Sequence, residues 1–259
     1  MNKLRDAIYG FTVADALGVP FEFNQKGSFL CTDMIGHGTW NQPEGTWSDD
    51  SSMTLATCDS IRINKGINYL DIMNRFLDWI DYGKYAINSR VFDVGNTTLN
   101  ALRRFDGISP FCGINDIRQN GNGALMRVLP LAFIPDITDE QIKNVAIMTH
   151  GHDISSDLCI EYVRIAQKLI RGEEVSFEYT TPIKSSGYVV DTFNSVMYCL
   201  ATTDNYSDCV LKAVNLGNDT DTVSAIAGGL AGIKYGYDSI PSKWINKLKG
   251  KEIIESCLF

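Results

Sequence analysis

The stretch Asp219-Thr220-Asp221-Thr222-Val223-Ser224-Ala225-Ile226-Ala227-Gly228-Gly229-Leu230-Ala231-Gly232-Ile233 opens on two carboxylates and continues as a run that is apolar nearly all round. A helix with no polar face has to be covered on every side, and Gly228, Gly229 and Gly232 mark where a second helix can come close to its backbone. The run therefore predicts a central buried helix. Apolar residues recur at helical spacing on either side of it, as in Leu70, Met73, Phe76, Leu77 and Ile80, and again in Leu158, Tyr162, Ile165, Ala166 and Leu169, with Gly172 as a stop. Thr138-Asp139-Glu140-Gln141 has the pattern of a capping box ahead of Ile142, Val145 and Ala146. Strand signals are few and short, so the expected fold is an all-α bundle.

Asp219 and Asp221 stand at the mouth of that buried helix, where an unpaired charge is expensive. A second acidic cluster, Ser48-Asp49-Asp50, opens another helix-like run. Each cluster read alone is a cap with acidic residues that complement a helix dipole. Read together they are the halves of a metal site: carboxylates and hydroxyls are hard oxygen ligands of the kind that hold Mg²⁺ or Mn²⁺. They outnumber what one Mg²⁺ takes from protein, so two ions are expected.

Length and composition set the frame for this site. With 259 residues and 44% hydrophobic content the chain can bury a full core, and residues 1–259 are expected to form a single domain. A net charge of −8 without clustered Lys and Arg argues against a nucleic-acid partner. The 7 cysteines are scattered, never at the spacing of a zinc or redox pair, and read as reduced core residues. Asp6 and Asp15 interrupt the apolar pattern of Met1 to Gly18, which argues against a signal peptide, and no run approaches membrane-spanning length. The expectation is a cytoplasmic monomer with no membrane partner. Long irregular stretches fall at Val19 to Trp47, Gly107 to Gly123 and Glu173 to Ser186, and loops of that length usually carry function.

Gly121-Asn122-Gly123-Ala124-Leu125-Met126-Arg127 places two glycines around an Asn at the expected start of a helix, where free N–H groups can hold an anion. No Gly-Lys-Ser/Thr follows, so it is not a nucleotide triphosphatase loop. His150 and His152 flank Gly151 ahead of Asp153, but a metal phosphohydrolase needs further histidines and only His37 remains. The Asp-Asp-x-x-Asp motif of isoprenoid-diphosphate synthases fails too, because Met53 stands where its third Asp is required, and Ile226 stands where the downstream motif needs a glutamate.

Taken in order, Ala14 to Phe23, Gly45 to Asp50, Phe92 to Thr97, Gly121 to Arg127, Thr149-His150, Ser186-Gly187-Tyr188 and Gly217 to Thr222 resemble the ADP-ribosylglycohydrolase family. The stretches Phe92 to Thr97 and Ser186 to Tyr188 look most like its bacterial branch, which includes dinitrogenase reductase-activating glycohydrolase. The resemblance implies an orthogonal all-α bundle with a two-metal centre between helices, its ligands being Ser48, Asp49, Asp50, Asp219, Asp221 and Thr222. Ser48 departs from the family's usual Thr but keeps the hydroxyl. By the same resemblance Glu22 lies over the metals, Asp93 and Asn96 lie near the reacting ribose, and His150, Gly187 and Tyr188 line the cleft. The Gly121-Asn122-Gly123 turn would hold the diphosphate, and either Asp93 or Glu22 would transfer the proton. The implied reaction is metal-dependent hydrolysis of the N-glycosidic bond between ADP-ribose and a protein side chain, arginine first. O-linked or small-molecule conjugates and a non-catalytic ADP-ribose-binding role are the alternatives. ADP-ribose is the implied product.

Overall fold

The computed structural model describes residues 2–259. The described residues form α-helices and short 3-10 turns with no strand, in the order α1 (Lys3–Gly18), α2 (Asp49–Asn64), α3 (Tyr69–Tyr82), α4 (Asn96–Arg104), α5 (Asp139–Ile147), α6 (Asp153–Ile170), α7 (Val189–Ala201), α8 (Tyr206–Val214), α9 (Thr220–Tyr235), α10 (Ser242–Lys247) and α11 (Lys251–Cys257). Every residue of α9 from Thr220 to Ile233 is buried, as its lack of a polar face requires. The helix that covers it is α1, itself buried from Asp6 to Gly18.

These two helices run antiparallel and nearly touch. A Cβ added at Gly232 would lie 2.3 Å from the Asp6 carbonyl oxygen, one at Gly10 would lie 2.4 Å from that of Gly228, and one at Gly18 would lie 2.4 Å from the Asp221 Cα. Side-chain bonds lock the register: Thr220 Oγ1 donates to the Gly18 carbonyl (2.8 Å) and Ser224 Oγ to that of Ala14 (2.8 Å). Tyr206 of α8 and Tyr162 of α6 donate to the Gly10 and Ile226 carbonyls from the flanks. The α1/α9 pair thus fixes where the acidic mouth of α9 sits. Gly228→Val would drive a branched side chain into Ala14, whose Cβ is 2.5 Å from the site of the new Cβ, and into the Gly10 carbonyl. The expected result is a loss of about 3 kcal/mol of stability, read as a lower denaturation midpoint.

The other helices follow their patterns with two differences. The capping box at Thr138 and Gln141 forms, and α6 ends at Ile170 with Gly172 in the left-handed conformation. On α3 the buried stripe is Ile72, Met73, Phe76 and Trp79, with Leu77 and Ile80 at its edge, whereas Leu70 is exposed beside Tyr69 and Phe111. The Gly121 to Arg127 segment does not open an α-helix. It leads into the 3-10 turns Leu125–Arg127 and Leu129–Phe133, because Pro130 has no N–H to continue a helical ladder. All the cysteines are free, and all but Cys112 are buried. No helix of the described residues is long and apolar enough to cross a membrane.

Candidate metal centre and cleft

The N-termini of α2 and α9 converge, and the residue that aligns them is Asp15 near the end of α1. Its carboxylate is fully buried and accepts from the Ser48 N–H (3.0 Å), the Ser51 N–H (3.0 Å) and the Ser51 hydroxyl (2.6 Å). An anion tied to the first turn of a helix is favourable, and here it joins α1 to α2. Asp50 then joins α2 to α9: its Oδ2 accepts from Ser48 Oγ (3.0 Å) and from Thr222 Oγ1 (3.1 Å). Asp219 opens α9 without capping it, and its Oδ2 accepts from Asn122 Nδ2 at 2.7 Å. Carboxylate oxygens of Asp15, Asp50 and Asp221 lie within 4.8 Å of one another, as do those of Glu22, Asp219 and Asp221.

The arrangement leaves Asp50 Oδ1, Asp219 Oδ1 and Asp221 Oδ2 buried with no hydrogen-bond partner. Among the described residues, no ion pair from Lys, Arg or His reaches any of these carboxylates. Burial, reinforced by their mutual repulsion, holds Asp49, Asp50 and Asp221 well above the usual carboxylate range. Burial likewise pushes Asp15 up to about 6 and Glu22 up to about 7. Buried, uncompensated hard oxygens in two overlapping groups fit divalent cations.

This yields a prediction for the metal-free protein. Folding keeps protons on Asp15 and Glu22 that the unfolded chain releases above about pH 4, so their stability contribution is complete below that pH. It is lost as pH rises through about 6 for Asp15 and about 7 for Glu22. Each extra proton held by the folded state costs about 1.4 kcal/mol per pH unit across that window. The melting temperature in chelator should therefore fall between about pH 4 and 7, and saturating Mg²⁺ or Mn²⁺ should reverse the fall by replacing protons with cations. A metal-independent, flat profile would contradict the site.

Above this floor lies a cleft of about 560 Å³, within the range of small-molecule sites. Glu22, Asp49, Asp93, Asp219 and Thr222 line it together with Asn96, Gly121, Asn122, Gly123, His150 and Gly187; Asn122 and Gly187 lie against Asp219, and His150 lies against Gly121 and Gly123. Ser48, Asp50 and Asp221 lie beneath the floor rather than on it. Tyr188 sits at the rim, exposed, and lines no part of the cavity. Asp93 is not a helix cap: α4 starts from Gly95 with no side-chain cap bond. It adopts a left-handed backbone conformation (φ 65°) and turns its carboxyl into the cleft near Glu22 and Asp221. Burial and the charges of Asp221, Asp49 and Glu22 raise its pKa. Glu22 is held by the Trp40 indole N–H, and Trp40 packs against Phe92 and Phe23 with ring centroids 5.5 and 6.1 Å apart.

The sequence reading passes over Asp15 as a site residue, along with the aromatic cluster of Trp40, Phe23 and Phe92. Asp15 carries a readable signal, a lone acid in a run apolar enough to be buried. The aromatics carry none, since they meet only through the path of the Val19 to Trp47 loop.

The ADP-ribosylglycohydrolase family model matches residues 1–184 and 173–258. The chain belongs to the ADP-ribosylglycohydrolase family. It is 34% identical to the ADP-ribosyl-(dinitrogen reductase) glycohydrolase of Rhodospirillum rubrum, over 96% of this chain and 91% of that protein. It is 31% identical to the ADP-ribosylarginine hydrolase Tri1 of Serratia proteamaculans (strain 568), over 99% of this chain and 78% of that one. A solved structure titled ADP-ribosylglycohydrolase-related protein complex superposes with a TM-score of 0.83 at 27% identity, covering 99% of this chain and 95% of that chain.

Proposed function

We propose that the chain hydrolyses the N-glycosidic bond between ADP-ribose and a modified arginine side chain of a protein. Family membership and the relatives named above support ADP-ribosyl glycohydrolase activity. The arginine linkage follows the named relatives. The observation that carries the ADP-ribose reading is the lining of the cleft: unpartnered carboxylate oxygens beneath it and, joined to Asp219 through Asn122, a glycine turn backed by a histidine. A ligand that carries a ribose diol and, a few atoms away, a diphosphate matches that lining.

In this reading Ser48, Asp49, Asp50, Asp219, Asp221 and Thr222 hold two Mg²⁺ or Mn²⁺ ions, with Asp15 fixing the helix that presents three of them. When bound, the ions supply Lewis acidity that acidifies a water and orients the ribose hydroxyls. The water oxygen bonds to the anomeric carbon, and the electron pair of the C–N bond leaves with the guanidino nitrogen, which takes up a proton. Asp93 and Glu22 stand where that proton is handled. Glu22 has one oxygen tied to Trp40 and stands close to Asp219 and Asp221, while Asp93 also faces the cleft. Asn96 contacts the ribose, the turn from Gly121 to Gly123 takes the diphosphate, and Gly187 and Tyr188 border the adenosine side. The protein is proposed to act as a cytoplasmic monomer on modified proteins.

The test is incubation with peptides mono-ADP-ribosylated on arginine and on serine, with Mg²⁺ or Mn²⁺. Release of ADP-ribose from the arginine peptide, lost in chelator, is the expected outcome. Release from the serine peptide alone would move the reading to O-linked conjugates, and binding without release from either would make the chain a binding protein.

A further inference from the structure

Arg127 is completely buried, yet no carboxylate meets it. Its guanidinium donates to the Gly123 carbonyl from Nε (3.1 Å), to the Val145 carbonyl (3.1 Å) and to the Thr149 hydroxyl oxygen (2.6 Å), and it lies over the Phe76 ring. A buried cation held only by neutral acceptors is costly, which points to a duty beyond packing. Thr149 Oγ1 has one further partner, His150 Nδ1 at 2.8 Å. Arginine can only donate, so the hydroxyl must accept from it. Thr149 is fully buried, and its single hydrogen has no acceptor but Nδ1 among the described residues. If Nδ1 carried the proton, the Thr149 O–H would be buried and unsatisfied, so the proton belongs on Nε2.

Nε2 makes no hydrogen bond within the protein. It faces the cleft, 3.5 Å from where a Cβ on Gly121 would lie and 3.4 Å from one on Gly123. We infer that Arg127 and Thr149 are positioning residues that fix His150 as a neutral Nε2–H donor to an anionic oxygen, of the diphosphate class, seated against the Gly121 to Gly123 turn. The same guanidinium grips the Gly123 carbonyl, so donor and turn are held by one group. Burial and the Arg127 charge keep the imidazole pKa down at about 3, so the ring stays neutral and keeps one donor rather than becoming a titrating cation. The inference rests on the proposed function for the identity of the ligand, and on hydrogen-bond bookkeeping alone for the tautomer.

The chain has 3 histidines, so long-range ¹H–¹⁵N spectra of the metal-loaded, ligand-free protein, assigned with His150→Gln, read the tautomer directly. The expected spectrum shows His150 protonated at Nε2 and unprotonated at Nδ1, unchanged between about pH 5 and 8. An Nδ1–H tautomer, or a ring that titrates in that range, would overturn the relay whatever the substrate. Thr149→Val should mix the tautomers and raise the Kd for ADP-ribose about tenfold. Thr149→Ser should restore both, and Thr149→Val should cost nothing further in the His150→Gln background. An equal cost in both backgrounds would make Thr149 merely structural and overturn the inference. The correct tautomer in a protein that does not bind ADP-ribose would overturn the ligand and the proposed function with it. The wild-type spectrum decides the tautomer even if the valine variant fails to fold.

Discussion

With saturating Mg²⁺ or Mn²⁺, Asp50→Ala and Asp221→Ala should each release ADP-ribose from modified arginine at least about a thousandfold more slowly than the native chain, a loss of about 4 kcal/mol in transition-state stabilisation. The size follows from the place of the two carboxylates in the proposed ligand set, and it exceeds what either does in the fold. Asp50 lies in the first turn of α2, where a charge contributes about 0.3–1 kcal/mol, and Asp221 has a buried oxygen with no partner. Removing Asp221 in the metal-free protein deletes a buried acid with an unpartnered oxygen, so that variant should melt near the native temperature in chelator. Asp50→Ala should instead cost about 1–3 kcal/mol, because the buried Ser48 and Thr222 hydroxyls lose their shared acceptor. What they should lose is the rise in melting temperature on adding metal. A purely structural role predicts near-native turnover and an unchanged metal-dependent shift. Native turnover in either variant would end the two-metal reading.

The residues that were legible in the sequence are those whose environment is set by their own helix. The α9 run could be read because an all-round apolar helix has one solution, and its glycines could be read because a Cβ would strike α1 at Gly228 and Gly232 and Leu129 at Gly229. The two acidic clusters could be read because charge at the mouth of such a helix needs a counter-charge. What was not legible depends on residues far away. Leu70 follows the α3 period but faces out in its first turn, where the stripe has rotated onto Ile72. Gly121 to Arg127 has the composition of a helix start, and Pro130 turns it into 3-10 segments. Asp15 reads as an interruption of an apolar run until Ser48 and Ser51 are seen to donate to it across the α1/α2 contact. Asp93 is assigned to the ribose side by the resemblance alone, because nothing in its local sequence shows the left-handed backbone that turns its carboxyl into the cleft.

That conformation makes Asp93→Asn the informative substitution and sets its expected result. Asparagine tolerates a positive φ as well as aspartate does, so the backbone at 65° should persist where alanine would add strain. It keeps the size and hydrogen-bonding reach of the side chain and removes only the ability to exchange a proton. If Asp93 is the proton-transfer group, kcat should fall about 10²- to 10⁴-fold, with KM, the helical spectrum and the metal-dependent melting shift near native. Glu22→Gln should behave differently. Glu22 is tied to Trp40, which packs on Phe92 beside Asp93, so its carboxylate couples the Val19 to Trp47 loop to the Phe92–Asp93 side of the cleft. Loosening that tie should change KM and metal dependence together with kcat. Parallel steady-state kinetics and calorimetric metal titrations on the two variants separate the roles. A kcat loss confined to Glu22→Gln, with Asp93→Asn turning over at the native rate, would transfer the proton to Glu22 and leave Asp93 as a spacer that keeps the Asp221 carboxylate in place.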